Sequence, residues 1–313
     1  MAINTIAVVG PTASGKTGRA VSLARRFDGE VVSGDSRQVY RGMTLGTGKD
    51  LEEYGDVPYH LIDIADPGEK YNLYRFLSDY DRVSRDLEQR GRKCILCGGS
   101  GMYVENALRG LVMPEVPRNE ALREQLATLT NEELKTRLEA CKSLHNVTDL
   151  DTRQRMERAL EISDYYRLHP EEALKTDTKY VRPRPSVIVG IDMPREERRK
   201  RITRRLYSRL EAGMLDEVRS LLQHGVSAES LIYYGLEYKY LTLHLIGRLY
   251  YDEMVRQLEI AIHQFAKRQM TWWRGMERRG LSIDWLSWEM TDGEFGDAVE
   301  EILRQKENTD HER

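Results

Sequence analysis

The residues best suited to chemistry lie in one run, Gly10-Pro11-Thr12-Ala13-Ser14-Gly15-Lys16-Thr17. The run follows the apolar residues 3–9, so a buried strand, a glycine-rich turn and a helix starting near Lys16 are expected in succession. Backbone N–H groups and a helix N-terminus then face phosphate oxygens. The Lys16 ammonium can reach a terminal phosphate, and the Thr17 hydroxyl is placed to bind Mg²⁺. The run predicts phosphate binding but leaves the fate of the phosphates open.

Polar residues also follow two later strand patterns. Asp35 comes after the second, where a carboxylate can be a general base, a metal ligand or a helix cap. Its neighbours Ser36 and Gln38 carry groups suited to reading the edge of a base. Residues 98–101 (GGSG) resemble a second phosphate-binding turn, with the Ser100 hydroxyl as a further donor. Together the two glycine loops predict donors on both sides of one diphosphate.

Basic residues are concentrated in two segments, although the formal net charge is only −3. In residues 196–212, Arg198, Arg201 and Arg205 share one helix face, which is either solvated or sends one or two arginines towards a diphosphate. Residues 267–274 (KRQMTWWR) combine cations, an amide and indoles, a mixture suited to stacking unpaired bases. The alternative is that these tryptophans pack their helix against the sheet.

Strand and helix patterns alternate through the first hundred residues, which predicts a parallel sheet with helices on both faces. Ligands in such sheets lie beyond the carboxyl ends of the strands, where the three polar segments fall. Strands are expected at residues 3–9, 30–33, 59–64, 93–97 and 186–193, and helices at 17–27, 72–90, 119–129, 132–141, 152–166, 196–212, 215–224 and 252–274. The fold class predicted is α/β, a P-loop NTPase-like parallel sheet flanked by helices, with an α-helical insertion domain.

The domain boundaries follow from the same patterns. A P-loop α/β core is expected at residues 1–114 and 185–290, a helical insertion at 115–184 and a polar, fraying tail at 291–313. No apolar run approaches the roughly 20 residues that a membrane helix needs. The first strand begins too early for a signal peptide, so a cytoplasmic protein is expected. Cys94 and Cys97 have CxxC spacing but lie in an apolar strand, which favours a structural role over redox or zinc chemistry.

The chain resembles the tRNA dimethylallyltransferase family, also called tRNA isopentenyltransferases, in its bacterial form. The matching motifs are GPTASGKT at 10–17, DSRQVY at 35–40, HLIDI at 60–64, GGSGMY at 98–103, QRMERALEI at 154–162 and KRQMTWWRG at 267–275. They stand in the family's order and cover nearly all of residues 1–290. Ser100 stands where the family typically has threonine, and the hydroxyl is kept.

The resemblance implies transfer of a dimethylallyl group from its diphosphate to N6 of the adenosine just 3′ of the anticodon, with Mg²⁺ at Thr17. It makes Asp35 the general base, while Lys16, Ser100 and Arg205 stabilise the departing diphosphate held by the P-loop. Ser36 and Gln38 would hold the flipped base. The tRNA contacts that it implies are Asp35, Ser36, Arg37, Gln38, Ser100, Arg123, Gln154, Arg155, Met156, Glu157, Arg158, residues 232–237, Lys267, Arg268, Gln269, Thr271, Trp272, Trp273 and Arg274.

Three other functions remain compatible with parts of the sequence. A P-loop kinase would explain Lys16 and Thr17 but not the tryptophan–arginine segment. A free-adenylate isopentenyltransferase would use the same chemistry without the helical insertion. An RNA-binding module with a vestigial P-loop would not need Asp35. The tRNA enzyme, expected to be a monomer that binds dimethylallyl diphosphate and the anticodon stem-loop of tRNA, accounts for all of these features.

Overall fold

The computed structural model describes residues 3–113, 115–141, 150–176 and 183–311. The chain divides into two compact units, one formed by Met1–Arg109 with Pro183–Arg313 and the other by Gly110–Arg182. The unit boundaries lie a few residues from those expected from the sequence.

The first unit is built on a six-stranded sheet in the order β3-β2-β4-β1-β5-β6. Every strand pair is parallel, which confirms the predicted α/β fold class. The strands are β1 Thr5–Val9, β2 Gly29–Ser33, β3 Tyr59–His60, β4 Lys93–Gly98, β5 Ser186–Asp192 and β6 Asp284–Ser287. The central strands are buried because apolar residues fill them continuously, as in a sheet covered on both faces.

Most of these strands are connected by helices, and the regular elements in the described part of the second unit are all helical. The α-helices are α1 Lys16–Arg26, α2 Leu73–Gln89, α3 Gly101–Leu108, α4 Glu120–Ala127, α5 Asn131–Cys141, α6 Arg153–Leu168, α7 Pro170–Thr176, α8 Arg195–Glu211, α9 Met214–Gln223, α10 Ala228–Tyr233, α11 Leu236–Leu245, α12 Tyr251–Arg278 and α13 Asp292–His311. Within the described residues, no helix is both long and apolar enough to cross a lipid bilayer.

The C-terminal segment differs from the fraying tail expected at residues 291–313. Helix α13 places Phe295, Val299 and Leu303 in the main apolar core, together with Leu23 of α1 and Val189 of β5. These three side chains recur at intervals of four residues, so they form one buried stripe on an otherwise charged helix. The segment is therefore part of the core unit.

The third strand is shorter than the six residues expected. It ends at His60, and Leu61 and Asp63 then adopt positive φ angles of 61° and 54°. The fully buried Lys49 side chain donates to the Asp63 carboxylate and to the backbone carbonyl of Tyr40. The ion pair between the buried Lys49 and the partly exposed Asp63 thus holds the segment that follows β3 against residues 40 and 49.

The helical unit has its own small core, which contains Leu126, Leu134, Leu138, Met156 and Leu160. Glu161 of the same unit is almost fully buried. Its carboxylate accepts hydrogen bonds from Arg123, Arg158 and the backbone N–H of Asn119. Burial opposes ionisation of Glu161, but these donors outweigh it and lower its pKa to about 2.

Candidate active site

The P-loop lies between β1 and α1, as predicted. Gly15 caps the helix with a φ of 83°, a left-handed conformation that glycine adopts without strain, and no side chain caps the helix N-terminus. The Ser14 hydroxyl is buried, and it has no hydrogen-bond partner in the part of the chain that the structure describes. The loop is therefore a cradle with polar groups still available to an anion.

Lys16 projects from this cradle, and its ammonium group donates to the Pro11 carbonyl over 3.3 Å. Burial lowers the pKa of Lys16, and the positive charge of Arg205 acts in the same direction. The carboxylates of Asp35 and Asp50 oppose this shift. A phosphate group bound here would supply a counter-charge, which would offset the cost of burying the Lys16 ammonium group.

The opposite wall is made where β2 and β4 end side by side. A Cβ atom at Gly98 would collide with the carbonyl of Gly34, so this close approach requires glycine. It brings the Ser100 hydroxyl to 3.1 Å from the backbone N–H of Ser36, which donates to it. Asp35 accepts a 2.8 Å hydrogen bond from the backbone N–H of Arg37, which fixes its carboxylate in the cavity wall.

The Gln38 amide is engaged within the protein. It accepts from the Ser33 hydroxyl over 2.8 Å and donates to the Gly48 carbonyl over 3.1 Å. Its observed role is therefore to fasten the loop around Gly48 to the end of β2. Contact between Gln38 and a base remains a prediction from the resemblance.

Gln269 of α12 joins the two glycine loops. Its side-chain oxygen accepts from the backbone N–H of Thr12 over 2.8 Å, and its nitrogen donates to the Gly99 carbonyl over 2.9 Å. Only 6% of the residue is exposed. The sequence placed Gln269 among the tRNA contacts, whereas the structure uses it as a brace between the loops.

Adjacent tryptophans on α12 have opposite environments. Trp273 is fully buried, like Gln269 and Met276 on the same helix face. It is a core residue, so its assignment as a tRNA contact is wrong. Trp272 is 38% exposed and lines the cavity together with Arg268 and Phe265. Lys267, Thr271 and Arg274 are exposed on the same helix.

The side chains of Arg205 and Arg209 reach the cavity from α8. Both guanidinium groups bind Asp50, with N···O distances of 2.5 Å from Arg205 and 2.9 Å from Arg209. Burial lowers the pKa of Arg205, and the charge of Arg209 lowers it further. Sequence reasoning found Arg205 but missed Arg209 and Asp50, although Arg209 stands one helical turn further along the same face.

Residues of the P-loop, of the ends of β2 and β4, and of helices α8 and α12 line one cavity of about 460 Å³ at the carboxyl ends of the strands. The predicted site residues that it brings together are Thr12, Lys16, Thr17, Asp35, Ser36, Arg37, Gln38, Ser100, Arg205, Arg268, Gln269 and Trp272. It also includes Glu237, whose pKa is raised by burial. The cavity therefore has a cationic floor, a carboxylate wall and an aromatic rim.

The remaining predicted tRNA contacts belong to the helical unit. Met156 lies in its core, and Arg123 and Arg158 bind Glu161. Glu157 pairs with Arg153, which leaves Gln154 and Arg155 as the exposed members of the motif. Several of these residues thus stabilise the helical unit itself.

The donor set around the P-loop fits Mg²⁺ that arrives with a diphosphate. Thr17 contributes a hydroxyl to the cavity, and the described residues contain no cluster of three acidic, histidine or cysteine side chains that could hold a metal alone. Mg²⁺ is commonly bound through few protein ligands plus phosphate oxygens and water. Thr17 is the residue that would hold it.

Cys94 and Cys97 are buried free thiols in β4. Burial raises the pKa of Cys94 to about 11 and that of Cys97 to about 12, so the reactive thiolate is scarce at neutral pH. The structural interpretation of this CxxC spacing is confirmed.

A parallel α/β sheet with a glycine-rich phosphate cradle after its first strand, and with a carboxylate in the same cavity, is the architecture of a P-loop enzyme. Residues 38–276 match the family model described as IPP transferase, and residues 3–54 match the model described as isopentenyl transferase. The chain belongs to the IPP transferase family, as the sequence motifs predicted.

Named relatives agree with this family assignment. The chain is 55% identical over 285 residues to tRNA dimethylallyltransferase 1 of Parabacteroides distasonis, covering 90% of this chain and 91% of the relative. It is 51% identical over 304 residues to tRNA dimethylallyltransferase 2 of Bacteroides fragilis, covering 96% and 98%. The crystal structure of a tRNA isopentenylpyrophosphate transferase from Bacillus halodurans matches with a TM-score of 0.71 at 30% identity, over 99% of each chain.

Proposed function

We propose that this protein transfers the dimethylallyl group of dimethylallyl diphosphate to N6 of the adenosine 3′-adjacent to the anticodon of tRNA, releasing diphosphate. The observation that carries the proposal is the shared cavity, in which Lys16 and Arg205 face the Asp35 carboxylate. One wall suits a leaving diphosphate and the other suits an acceptor that must lose a proton.

Different residues act on the attacking amine and on the leaving diphosphate. The N6 amine attacks C1 of the dimethylallyl group while the bond from C1 to the diphosphate oxygen breaks. Asp35 accepts the proton that the amine loses, because an amine conjugated to a purine ring is a poor nucleophile without a base. Lys16, Arg205 and the P-loop N–H groups stabilise the charge that collects on the diphosphate. Mg²⁺ at Thr17 would neutralise part of the same charge.

An RNA acceptor is supported by two surface features of α8 and α12. The Trp272 indole is exposed at the rim, where it can stack on an unpaired base. Arg195 and Arg198 of α8 and Arg274 of α12 form an arginine cluster with no ion-pair partner within the described residues. Burial lowers the pKa of Arg198, and the charges of Arg195 and Arg274 lower it further. Such a cluster suits RNA phosphates.

A comparison of tRNA with AMP as the acceptor tests the proposal. The protein is incubated with Mg²⁺, radiolabelled dimethylallyl diphosphate and either total tRNA or AMP, with ATP turnover as a control. Label is expected in tRNA and not in AMP, and no turnover of ATP is expected. Label in AMP alone would point to the free-adenylate enzyme, and ATP turnover without labelled RNA would point to a kinase.

We further propose a monomer that acts in the cytoplasm, where its tRNA substrate is found.

A further inference from the structure

Two arginines that line the cavity, Arg205 and Arg209, share the carboxylate of Asp50. Arg205 binds Asp50 through one carboxylate oxygen at 2.5 Å, and Arg209 binds both oxygens at 2.9 and 3.1 Å. The Arg209 side chain is only 13% exposed. Both arginines line the cavity that contains Lys16, so their N–H groups lie beside the P-loop cradle.

The loop that carries Asp50 is fixed in place. Glu217 of α9 accepts hydrogen bonds from the backbone N–H groups of Thr44, Leu45 and Gly46. At Gly48, where φ is 68°, a Cβ atom would lie 2.6 Å from a guanidinium nitrogen of each arginine. Close packing of this loop therefore holds Asp50 against both guanidinium groups.

The Asp50 carboxylate presents a negative charge to the two guanidinium groups, as a bound phosphate would. Burial disfavours the charged form of Asp50, yet the two arginines outweigh it and hold its pKa below the usual range. Asp50 is thus an anion at neutral pH. A carboxylate and a phosphate oxygen accept the same guanidinium N–H groups, so they compete for them.

We propose that Arg209 is a second diphosphate-binding arginine beside Arg205, and that Asp50 is a built-in competing anion that occupies both arginines until diphosphate displaces it. This inference rests on the proposed function, because it takes the cavity to receive a diphosphate. As the donor binds, N–H groups pass from Asp50 to phosphate oxygens. After transfer, Asp50 takes the arginines back and thereby weakens retention of the product.

Binding of inorganic diphosphate with Mg²⁺, measured by calorimetry without tRNA, tests the inference. Arg209→Met is expected to weaken binding by about tenfold or more, the usual effect of losing a hydrogen bond to a charged group. Asp50→Asn removes the competing charge and is expected to tighten binding several-fold. Arg201→Met is the matched control, because Arg201 lies on the same helix but pairs with Glu197 and stacks on Trp288.

Competition predicts that Arg209→Met weakens diphosphate binding and that Asp50→Asn tightens it, which a merely structural role does not predict. If Arg209 only held the loop in position, Asp50→Asn would weaken diphosphate binding as Arg209→Met does, and the inference would be overturned. Unchanged binding in Arg209→Met, with a clear loss in Arg205→Met, would also overturn it while leaving the proposed function intact. If the wild type bound no diphosphate, the proposed function would fail as well. Affinity for tRNA is expected to stay at the wild-type value in both variants. The melting temperature is expected to fall in both, because each variant breaks a partly buried ion pair, so binding is measured at a temperature well below the unfolding transition of each protein.

Discussion

Replacing Gln269 with leucine removes the only side chain known to join the two glycine loops among the described residues. The change leaves the backbone N–H of Thr12 and the carbonyl of Gly99 without their hydrogen bonds of 2.8 and 2.9 Å. The bond to the Gly99 carbonyl is buried, and leaving such a group unsatisfied costs about 1–3 kcal/mol of unfolding free energy, whereas the Thr12 N–H lines the cavity and can bind water instead. At about 2–4 °C per kcal/mol for a domain of this size, the melting temperature is expected to fall by about 2 °C or more.

The same variant should bind the donor poorly, because the P-loop and the Ser100 loop lose their common anchor. Thermal unfolding followed by circular dichroism, together with the KM for dimethylallyl diphosphate, measures both effects. Gln257→Leu is the control, since Gln257 lies on the same helix and, among the residues that the structure describes, its side chain bonds only to Glu253 one turn away. That change is expected to stay within about 0.5 kcal/mol of the wild type. A Gln269→Leu protein with wild-type melting and unchanged KM would refute the reasoning.

Four further outcomes are expected. Asp35→Asn can keep the hydrogen bond from Arg37 and should lower kcat by about 10²- to 10⁴-fold while tRNA affinity is retained, so near-normal turnover would remove Asp35 as the base. Trp272→Ala should weaken tRNA binding by about 1–3 kcal/mol, whereas Trp273→Ala should cost about 3–5 kcal/mol of stability; the reverse pattern would contradict the assigned environments. Because the pKa of Glu161 is lowered from its usual 4.5 to about 2, its stabilising contribution should be present above pH 4.5 and lost as the pH falls towards 2. Faster amide exchange in α4 and α6 over that range would report this loss, and uniform protection would argue against it. Affinity for tRNA should fall steadily as salt rises, since phosphate contacts release counterions, and a flat response in a filter-binding assay would exclude the arginine cluster as a contact.

Local patterns were sufficient to predict the sheet and the P-loop. Continuous apolar runs marked β1, β4 and β5, and the glycine and lysine spacing marked the cradle. Short or charged elements were missed because their signal is weak. Strand β6 has only four residues, and the buried stripe of α13 is surrounded by acidic side chains.

Site residues were harder to predict where a partner lies far away in sequence. Nothing near Arg209 indicates that it meets Asp50, which is 159 residues distant. Trp272 and Trp273 are identical in type and adjacent in sequence. Only Trp273 lies on the buried helix face that also carries Gln269 and Met276, and this position distinguishes the buried ring from the exposed one. Composition indicated aromatic and basic character in this segment but could not divide its side chains between the core and the cavity.

The brace formed by Gln269 also bears on how the protein is made. The first glycine loop leaves the ribosome long before the side chain that secures it, because Thr12 and Gln269 are 257 residues apart. A nascent chain that has already formed its first strands therefore still lacks a finished donor pocket. Catalytic competence therefore requires the synthesis of α12, and polypeptides released before this helix should be inert even when their first five strands have paired.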